Sequence, residues 1–466
     1  MALKLTQSYT KHKNTVDKLY NKILNDPNEE LYIKILQNSQ KINDSNINEK
    51  EKLNVEPIQI SLLSKSMLEY DKKIFSLLTE ETLNNENDFY RPYFLEFFVD
   101  MEEISEYNKK LLIDEQKMGI WMEGTFIDNK CNDENVISID GIIMYSASPF
   151  EMKRRTLKIN KDYLNNNPKI NSNFNKWTRK QYETTKSVKD NQVIEDLLKE
   201  ELKNASKYSI KIYNVGDGNC IYIYTNNRKR ILFDIGQNCN PYSNDWQDYY
   251  ITRVQSFISR IKPHNVILSH WDLDHLVGVV FAQQCIFEIP WIAPDLNNIP
   301  YKQVSMGALR VSKFLELKNQ LNLVNINNKN CRIFSNGYLS LWQGKGSRNI
   351  KHTSLTETNN SSLIIEIKNN KNFMLLPGDC EYLCLPDNLD FKNKIYRYLV
   401  VPHHCSKMDT SLVNIKSSLN NNLAIISVSK DNEKRPELNH LNYLMNNCNY
   451  NISLTQDAHY FYVINI

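Results

Sequence analysis

Glycine is scarce in this chain, with 12 among 466 residues. Each glycine inside a motif is therefore more informative than usual. Histidine is also thin. There are nine, and only His12 lies in the N-terminal half, so a metal site that depends on imidazole must be C-terminal. The nine cysteines are odd in number and contain no CxxC pair. That excludes a disulfide framework and leads to the expectation of reduced thiols in a cytosolic protein. No uninterrupted apolar run is long enough to span a bilayer, because the longest candidate, residues 276–293, is broken by Gln283, Gln284 and Glu288. The opening residues, Met1 to Ser8, lack the apolar stretch of a signal peptide. A soluble, cytoplasmic protein with no membrane partner is expected. The formal net charge is only +3, so there is no broad basic footprint from which to argue nucleic-acid binding.

What is present is ordinary globular composition, 41% hydrophobic and 24% charged. The length predicts two or three domains. Residues 1–175 are expected to form a mostly helical α+β domain with a β-hairpin. Leu62, Leu63, Met67, Leu68, Phe75 and Leu78 recur at helical spacing. An aromatic run at 90–98 leads into a further helical stretch at 101–116. Residues 119–128 and 136–146 flank a polar turn at 129–135, which predicts a hairpin between them. Residues 165–175 read as a loop, and 176–206 as a connecting helix, its charged stretch at 184–203. From residue 207 to 466 the pattern changes. Short β-rich runs occupy 208–214, 221–225, 230–234 and 265–269, with a helix expected at 246–261 and another starting near His275. Later runs lie at 339–342, 362–367, 372–376, 398–401, 424–428 and 460–464. Strands outnumber helices, which predicts two sheets with helices covering the outside.

The chemistry is concentrated at strand ends. Ser269-His270-Trp271-Asp272-Leu273-Asp274-His275 follows the apolar run at 266–268 directly. Four potential metal ligands within six residues are costly to bury unless paired or metal-bound, and two crowded carboxylates repel unless cations neutralise them. A solvated loop with helix caps needs one such residue, not four. Two further apolar runs end in ligand-type residues: Leu375-Leu376-Pro377-Gly378-Asp379, and Val400-Val401-Pro402-His403-His404-Cys405-Ser406.

These motifs resemble the metallo-β-lactamase superfamily, and within it the hydrolase-like domain of bacterial competence DNA-uptake channel proteins. That group carries His-x-Asp-x-Asp-His where most of the superfamily has His-x-His-x-Asp-His, and Asp272 stands at the variant position. Also matching are Asn214-Val-Gly-Asp-Gly-Asn219, Ile231-Leu-Phe-Asp-Ile-Gly236, Asn359-Asn-Ser-Ser-Leu363 and Pro402-His-His-Cys-Ser-Lys407. The resemblance covers about 207–466 and implies an α/β fold, the αββα sandwich. It departs from the group at Cys405 (usually Gly), at Asn214 and Asn219 (usually Asp), at Arg435 before Pro436 (commonly His), and at Asn359 or Asn360, where the wider superfamily has a third His.

The resemblance implies a dinuclear site of His270, Asp272, Asp274, His275, Asp379 and His403, with Asp379 as the bridge. It implies two divalent metal ions, Zn²⁺ from the three imidazoles and Mn²⁺ as the alternative for an oxygen-rich set. A hydroxide generated by those metals would be the nucleophile. Asp274, His404 and Lys407 are the catalytic candidates. His404 or Lys407 would assist the leaving group or bind substrate, and His404 alternatively holds a carboxylate. Trp271 is a candidate for lining the cleft. Arg228-Lys229-Arg230 and Lys345, Arg348 and Lys351 are candidate phosphate contacts or plain solvated turns. The expected function is a phosphodiesterase or nuclease acting on an anionic substrate. The alternatives are a hydrolase of a small ester, lactam or cyclic nucleotide, and a binding protein with a decayed site. The N-terminal domain is expected to engage a protein partner or select substrate.

Overall fold

The structure is a computed structural model. It describes residues 2–26, 29–37, 58–79, 92–99, 104–105, 112, 121–127, 136–146, 151–160, 178, 180–182, 184, 191–238, 262–282, 284–324, 331–347, 350, 353, 355–369, 372–390, 393–408, 422–429, 432, 435–458 and 461–466. Two compact units are formed. The first comprises Met1–Asn38, Val55–Thr185 and Tyr301–Asn319; the second comprises Ser39–Asn54, Lys186–Pro300 and Gln320–Ile466.

Among the described residues of the first unit, short runs rich in β-branched, aromatic and other apolar residues form six strands: β1 (Leu31–Ile35), β2 (Gln59–Ser64), β3 (Phe94–Val99), β4 (Trp121–Ile127), β5 (Val136–Ser146) and β6 (Glu151–Asn160). They close into an antiparallel barrel in the order β1-β2-β3-β5-β6-β4, with β4 pairing back to β1. Closure leaves no unpaired sheet edge. This corrects the expectation of a mostly helical domain. Among the described residues before Thr185, the longer helices are Ala2–Asn25 and Lys65–Thr79, but Leu62 and Leu63 lie on β2, not on the helix that carries Met67 and Phe75. The expected hairpin is also re-paired. β5 pairs with β6 and β3, while β4 pairs with β6 and β1. The long register between β5 and β6 outcompetes pairing across 129–135, a turn that lies outside the described residues, as do nearly all of 101–116 and the expected helix at 246–261.

The segment Tyr301–Asn319, expected within the 207–466 domain, belongs to the first unit. Its helix, Met306–Leu317, starts at Ser305, whose side chain accepts from the Ala308 N–H. It is buried along most of its length. Arg310, fully buried, pairs with Asp71 at 2.9 Å, and Lys34 Nζ donates to the Val304 carbonyl at 2.7 Å. A helix so apolar needs a partner surface on more than one side.

The second unit has two seven-stranded sheets. One runs β12-β11-β10-β9-β8-β7-β20, where β7 is Tyr208–Tyr213, β8 Cys220–Thr225, β9 Arg230–Ile235, β10 Asn265–Ile267, β11 Trp291–Pro294, β12 Leu321–Val324 and β20 Phe461–Asn465. The other runs β13 to β19 in chain order: Arg332–Ser335, Leu339–Gln343, Leu363–Asn369, Asn372–Leu376, Tyr396–Val400, Leu423–Ile426 and Asn451–Leu454. Strand period two sends Ile210, Ile212, Ile231 and Phe233 from one sheet, and Leu363, Ile365, Met374 and Leu376 from the other, into one shared core. Each sheet is antiparallel on one side and parallel on the other, β9 to β12 and β16 to β19 being the parallel runs. Among the described residues, no helix is long and apolar enough to cross a membrane.

Candidate metal centre

Parallel strands deliver the ligand-type residues, because their carboxyl ends all point the same way within a sheet. β9 carries Asp234 one residue before its end, β10 leads to His270, β16 to Asp379, and β17 to His403 and His404. Two glycines allow the approach. A Cβ on Gly236 would lie 1.7 Å from the Asp274 carbonyl oxygen, and a Cβ on Gly378, at φ +58°, would lie 2.7 Å from the Ser269 Cβ. The loop that carries Asn219 closes behind them: Asn219 N–H donates to the Asp274 carbonyl, and Gly236 N–H to the Asn219 carbonyl.

Asp272 starts the short helix Leu273–Leu276 in extended geometry, with no side-chain cap hydrogen bond. Its carboxylate is therefore not used as a cap. It faces His270 Nε2 at 3.5 Å. Asp274, His275, Asp379 and His404 offer ligand atoms that all lie within 4.8 Å of one another. His275 Nε2 lies 3.1 Å from Asp379 Oδ1, and His404 Nε2 lies 3.1 Å from Asp274 Oδ2. The other Asp379 oxygen, Oδ2, is 3.7 Å from both His270 Nε2 and His403 Nε2.

The donor inventory shows why these residues fit a cation. His404 Nδ1 meets the Ser427 carbonyl at 2.9 Å, and a carbonyl only accepts, so Nδ1 carries the proton. In the neutral ring, Nε2 then presents a lone pair to the Asp274 carboxylate. His275 repeats the arrangement: Nδ1 donates to Asp234 Oδ2 at 2.8 Å and Nε2 confronts Asp379. Lone pair against carboxylate is repulsive unless a proton or a cation lies between. The Nε2 atoms of His270 and His275 are buried and have no hydrogen-bond partner among the described residues. Buried imidazole nitrogens left without a donor or acceptor are costly, and a metal ion satisfies them.

Without a cation, the same crowding distorts the proton affinities. Burial opposes ionisation of Asp274 and Asp379, but the neighbouring imidazoles outweigh it and hold both carboxyls below their ordinary range. Burial opposes charging of His275, but Asp379, Asp234 and Asp274 raise its affinity for a proton well above normal. Burial raises Asp272, with His270 opposing. Protonated imidazoles stand in for the positive charge the carboxylates demand.

The remaining candidates fall as follows. His403 and His404 adopt φ 48° and 54°, and Cys405 follows at 60°. Each such conformation in a non-glycine residue costs on the order of 1–3 kcal/mol, and this turn aims both rings at the acidic cluster. The Ser406 hydroxyl is hydrogen-bonded to His403 Nδ1. Lys407 is exposed on the same turn. Asn359 Nδ2 is 3.5 Å from Asp379 Oδ2, whereas Asn360 is bonded to Glu381. Trp271 does not line a cleft: it is 1% exposed and its indole donates to the Pro294 carbonyl. Lys229 pairs with Glu201 at 2.8 Å, and Lys345 with Asp387 at 2.9 Å. Arg348 and Lys351 lie outside the described residues. Sequence reasoning placed Asp234 in a matching motif but not in the site. It receives bonds from the Ser269 backbone and hydroxyl, Asn219 and His275. Its φ of 60° at a strand end is visible only in three dimensions.

No family model and no curated protein sequence matches this chain. Among solved structures, Zn²⁺-bound PqqB from Methylobacterium extorquens matches at 8% identity and TM-score 0.32, over 55% of this chain and 100% of that one. A diphosphatase of the PhnP family matches at 11% and 0.27, over 55% and 97%. A long form RNase Z from yeast matches at 12% and 0.26, over 51% and 40%. Likenesses this low carry no argument, and the functional reading stands on the site's own geometry.

Proposed function

We propose that this protein is a metal-dependent hydrolase with the αββα sandwich of the metallo-β-lactamase superfamily, whose Asp379 cluster would hold two divalent cations. The carrying observation is the pair of buried, unpartnered imidazole nitrogens, His270 Nε2 and His275 Nε2, that face different oxygens of Asp379. The residues that would hold the cations are Asp274, His275, His404 and Asp379, with His270, Asp272 and His403 beside them. Bound there, such ions supply Lewis acidity and bring the pKa of a water ligand down toward about 7.

The chain's own contribution is position. Asp234, the Ser427 carbonyl and Ser406 fix the rings of His275, His404 and His403 through their Nδ1 atoms, which leaves every Nε2 directed inward. Asp272, Asp274 and Asp379, with Asp234 behind His275, balance the charge of two divalent ions, so the ions' Lewis acidity rather than a net charge would bind an anionic oxygen. The proposed substrate is a phosphodiester, with nucleic acid as the leading candidate. Lys407 is proposed to meet the substrate. The imidazole content favours Zn²⁺, with Mn²⁺ next. A cytosolic location is proposed from the seven described cysteines, all free thiols. The first unit is proposed to select substrate or bind a protein partner.

The test is metal analysis of the full-length protein, followed by turnover of DNA and RNA oligonucleotides, a small phosphodiester, a carboxylic ester and a β-lactam. Asp379→Ala and His275→Ala are expected to lose bound metal and to slow phosphodiester cleavage by on the order of a hundredfold or more. Wild-type metal content and turnover in both variants would sink the proposal. Cleavage of the ester or lactam alone would replace the substrate class.

A further inference from the structure

The second sheet has an outer face as well as a core face. On β14, Leu339 and Leu341 enter the shared core, so Ser340 and Trp342 point the other way. On β15 and β16, Glu366 and Phe373 share that outer side, because their neighbours Ile365, Ile367 and Met374 are core residues. Between them lies a recess of ≈ 190 Å³. Asp379 lies beyond the carboxyl end of β16 and Phe373 near its start, so the recess is separate from the metal-type cluster.

Its chemistry is specific. Arg332 lies 5.8 Å from the Trp342 ring centroid, Lys368 6.0 Å from that of Phe373, and Lys394 5.9 Å and 5.1 Å from those of Trp342 and Phe373. Cation–ring pairs occur about once per 70–80 residues, so three cations around two rings is a concentration. Lys394 is already answered by Glu366 at 2.8 Å, and Glu366 is held in turn by the Tyr396 hydroxyl at 2.6 Å. Arg332 and Lys368 have no carboxylate partner among the described residues. Tyr338, 45% exposed, stands at the rim. The indole N–H of Trp342 is buried and has no acceptor among the described residues, and a buried Trp N–H ordinarily finds one.

We propose that this recess binds nucleotide units of a single-stranded nucleic acid. A base would pack against the exposed Tyr338 and the half-buried Phe373, with the edge of Trp342, itself 4% exposed, presenting its indole N–H, and flanking phosphates would meet Arg332 and Lys368. Paired bases in a duplex do not present their faces, so the aromatic surface selects unpaired strands. The volume, below the roughly 300–1,000 Å³ of drug-sized sites, suits one ring system at a time. An acidic peptide would satisfy the cations but leave the aromatic surface unused.

The test uses the full-length protein in EDTA, which removes divalent metals from the Asp379 site, and a fluorescein-labelled ten-nucleotide oligo(dT). Fluorescence anisotropy should show binding that weakens at least tenfold in Arg332→Glu/Lys368→Glu. Both residues are exposed, so the melting temperature should hold. Trp342→Phe should weaken binding severalfold without changing the salt dependence. Arg332→Ala should reduce the slope of log K against log[salt] by about 0.7, the value per phosphate on a single strand. Equal affinity of wild type and charge-reversed protein overturns the proposal, as does polyglutamate competing as well as the oligonucleotide. Binding of dTMP as tight as the oligomer supports the site and names a free nucleotide as its source. Because the readout is binding without metal, its failure is distinguishable from failure of the hydrolase reading.

Discussion

His440 is 1% exposed and uses both ring nitrogens: Nδ1 donates to the Ser406 carbonyl and Nε2 accepts from the Tyr382 hydroxyl. Burial pushes its pKa down to about 4, with the Ser406 carbonyl and Glu437 opposing. The unfolded chain binds this proton near pH 6.5 and the folded chain only near 4. Its contribution is therefore complete above pH 6.5 and is lost as pH falls from 6.5 through 4, an effect of at most roughly 3 kcal/mol at 1.36 kcal/mol per unit. Denaturant midpoints measured from pH 4 to 7 should fall with acid in wild type and fall less in His440→Gln. Parallel curves would refute the assignment. At the same scale, the His404–Asp274 and His275–Asp379 encounters could not be read from residue type. The sequence shows which groups can ligate, but a conflict of lone pair with carboxylate needs the partner of the other ring nitrogen to be known.

At the scale of elements, the glycines join strands to chemistry. Gly236 follows β9 against the Asp274 backbone, and a Cβ there would come within 1.7 Å of the Asp274 carbonyl oxygen, which leaves no room for a side chain. Gly236→Ala should force Asp274 and its helix away, costing about 1–3 kcal/mol of stability and most of the bound metal. Gly337→Ala serves as control. Its Cβ would meet nothing within 4 Å, so only its φ of +89° is penalised. Melting and metal analysis separate the two, and normal metal content in Gly236→Ala would count against the backing role. The strands of the second unit were legible where apolar runs are bounded by Gly, Asn or Pro, as at β7 to β10 and β14 to β18. β11, β12, β13 and β19, of four residues each, were not anticipated; β10 and β18 are as short but their apolar runs extend past the strand to Leu268 and Val428. In the first unit Leu62 and Leu63 continued a helical spacing by accident, since a short apolar run does not distinguish strand from helix.

At the scale of the whole chain, the first unit is assembled from three stretches, one of them Tyr301–Asn319. A fragment of residues 207–466 would keep the helix Met306–Leu317, whose Met306, Ala308, Val311 and Leu315 are fully buried, without its barrel. It should aggregate on size-exclusion chromatography, and replacing 301–319 by a short Gly/Ser linker should restore a monodisperse species. A soluble fragment with native metal content would show that this helix does not need the barrel.

Local order alone determined a good deal: the ligand-type residues, their position at the ends of apolar runs, and the two-sheet character of the second half. Those are consequences of strand period and of the cost of burying Asp and His, both properties of a few neighbouring residues. Only the tertiary structure decided that Asp379 faces imidazoles with both oxygens, that Asp234 anchors His275, that Trp271 is core, and that a helix from the second half belongs to a barrel from the first. Each of these depends on contacts between residues far apart in the chain, whose energies are set by packing and hydrogen-bond satisfaction and leave no periodic trace in sequence.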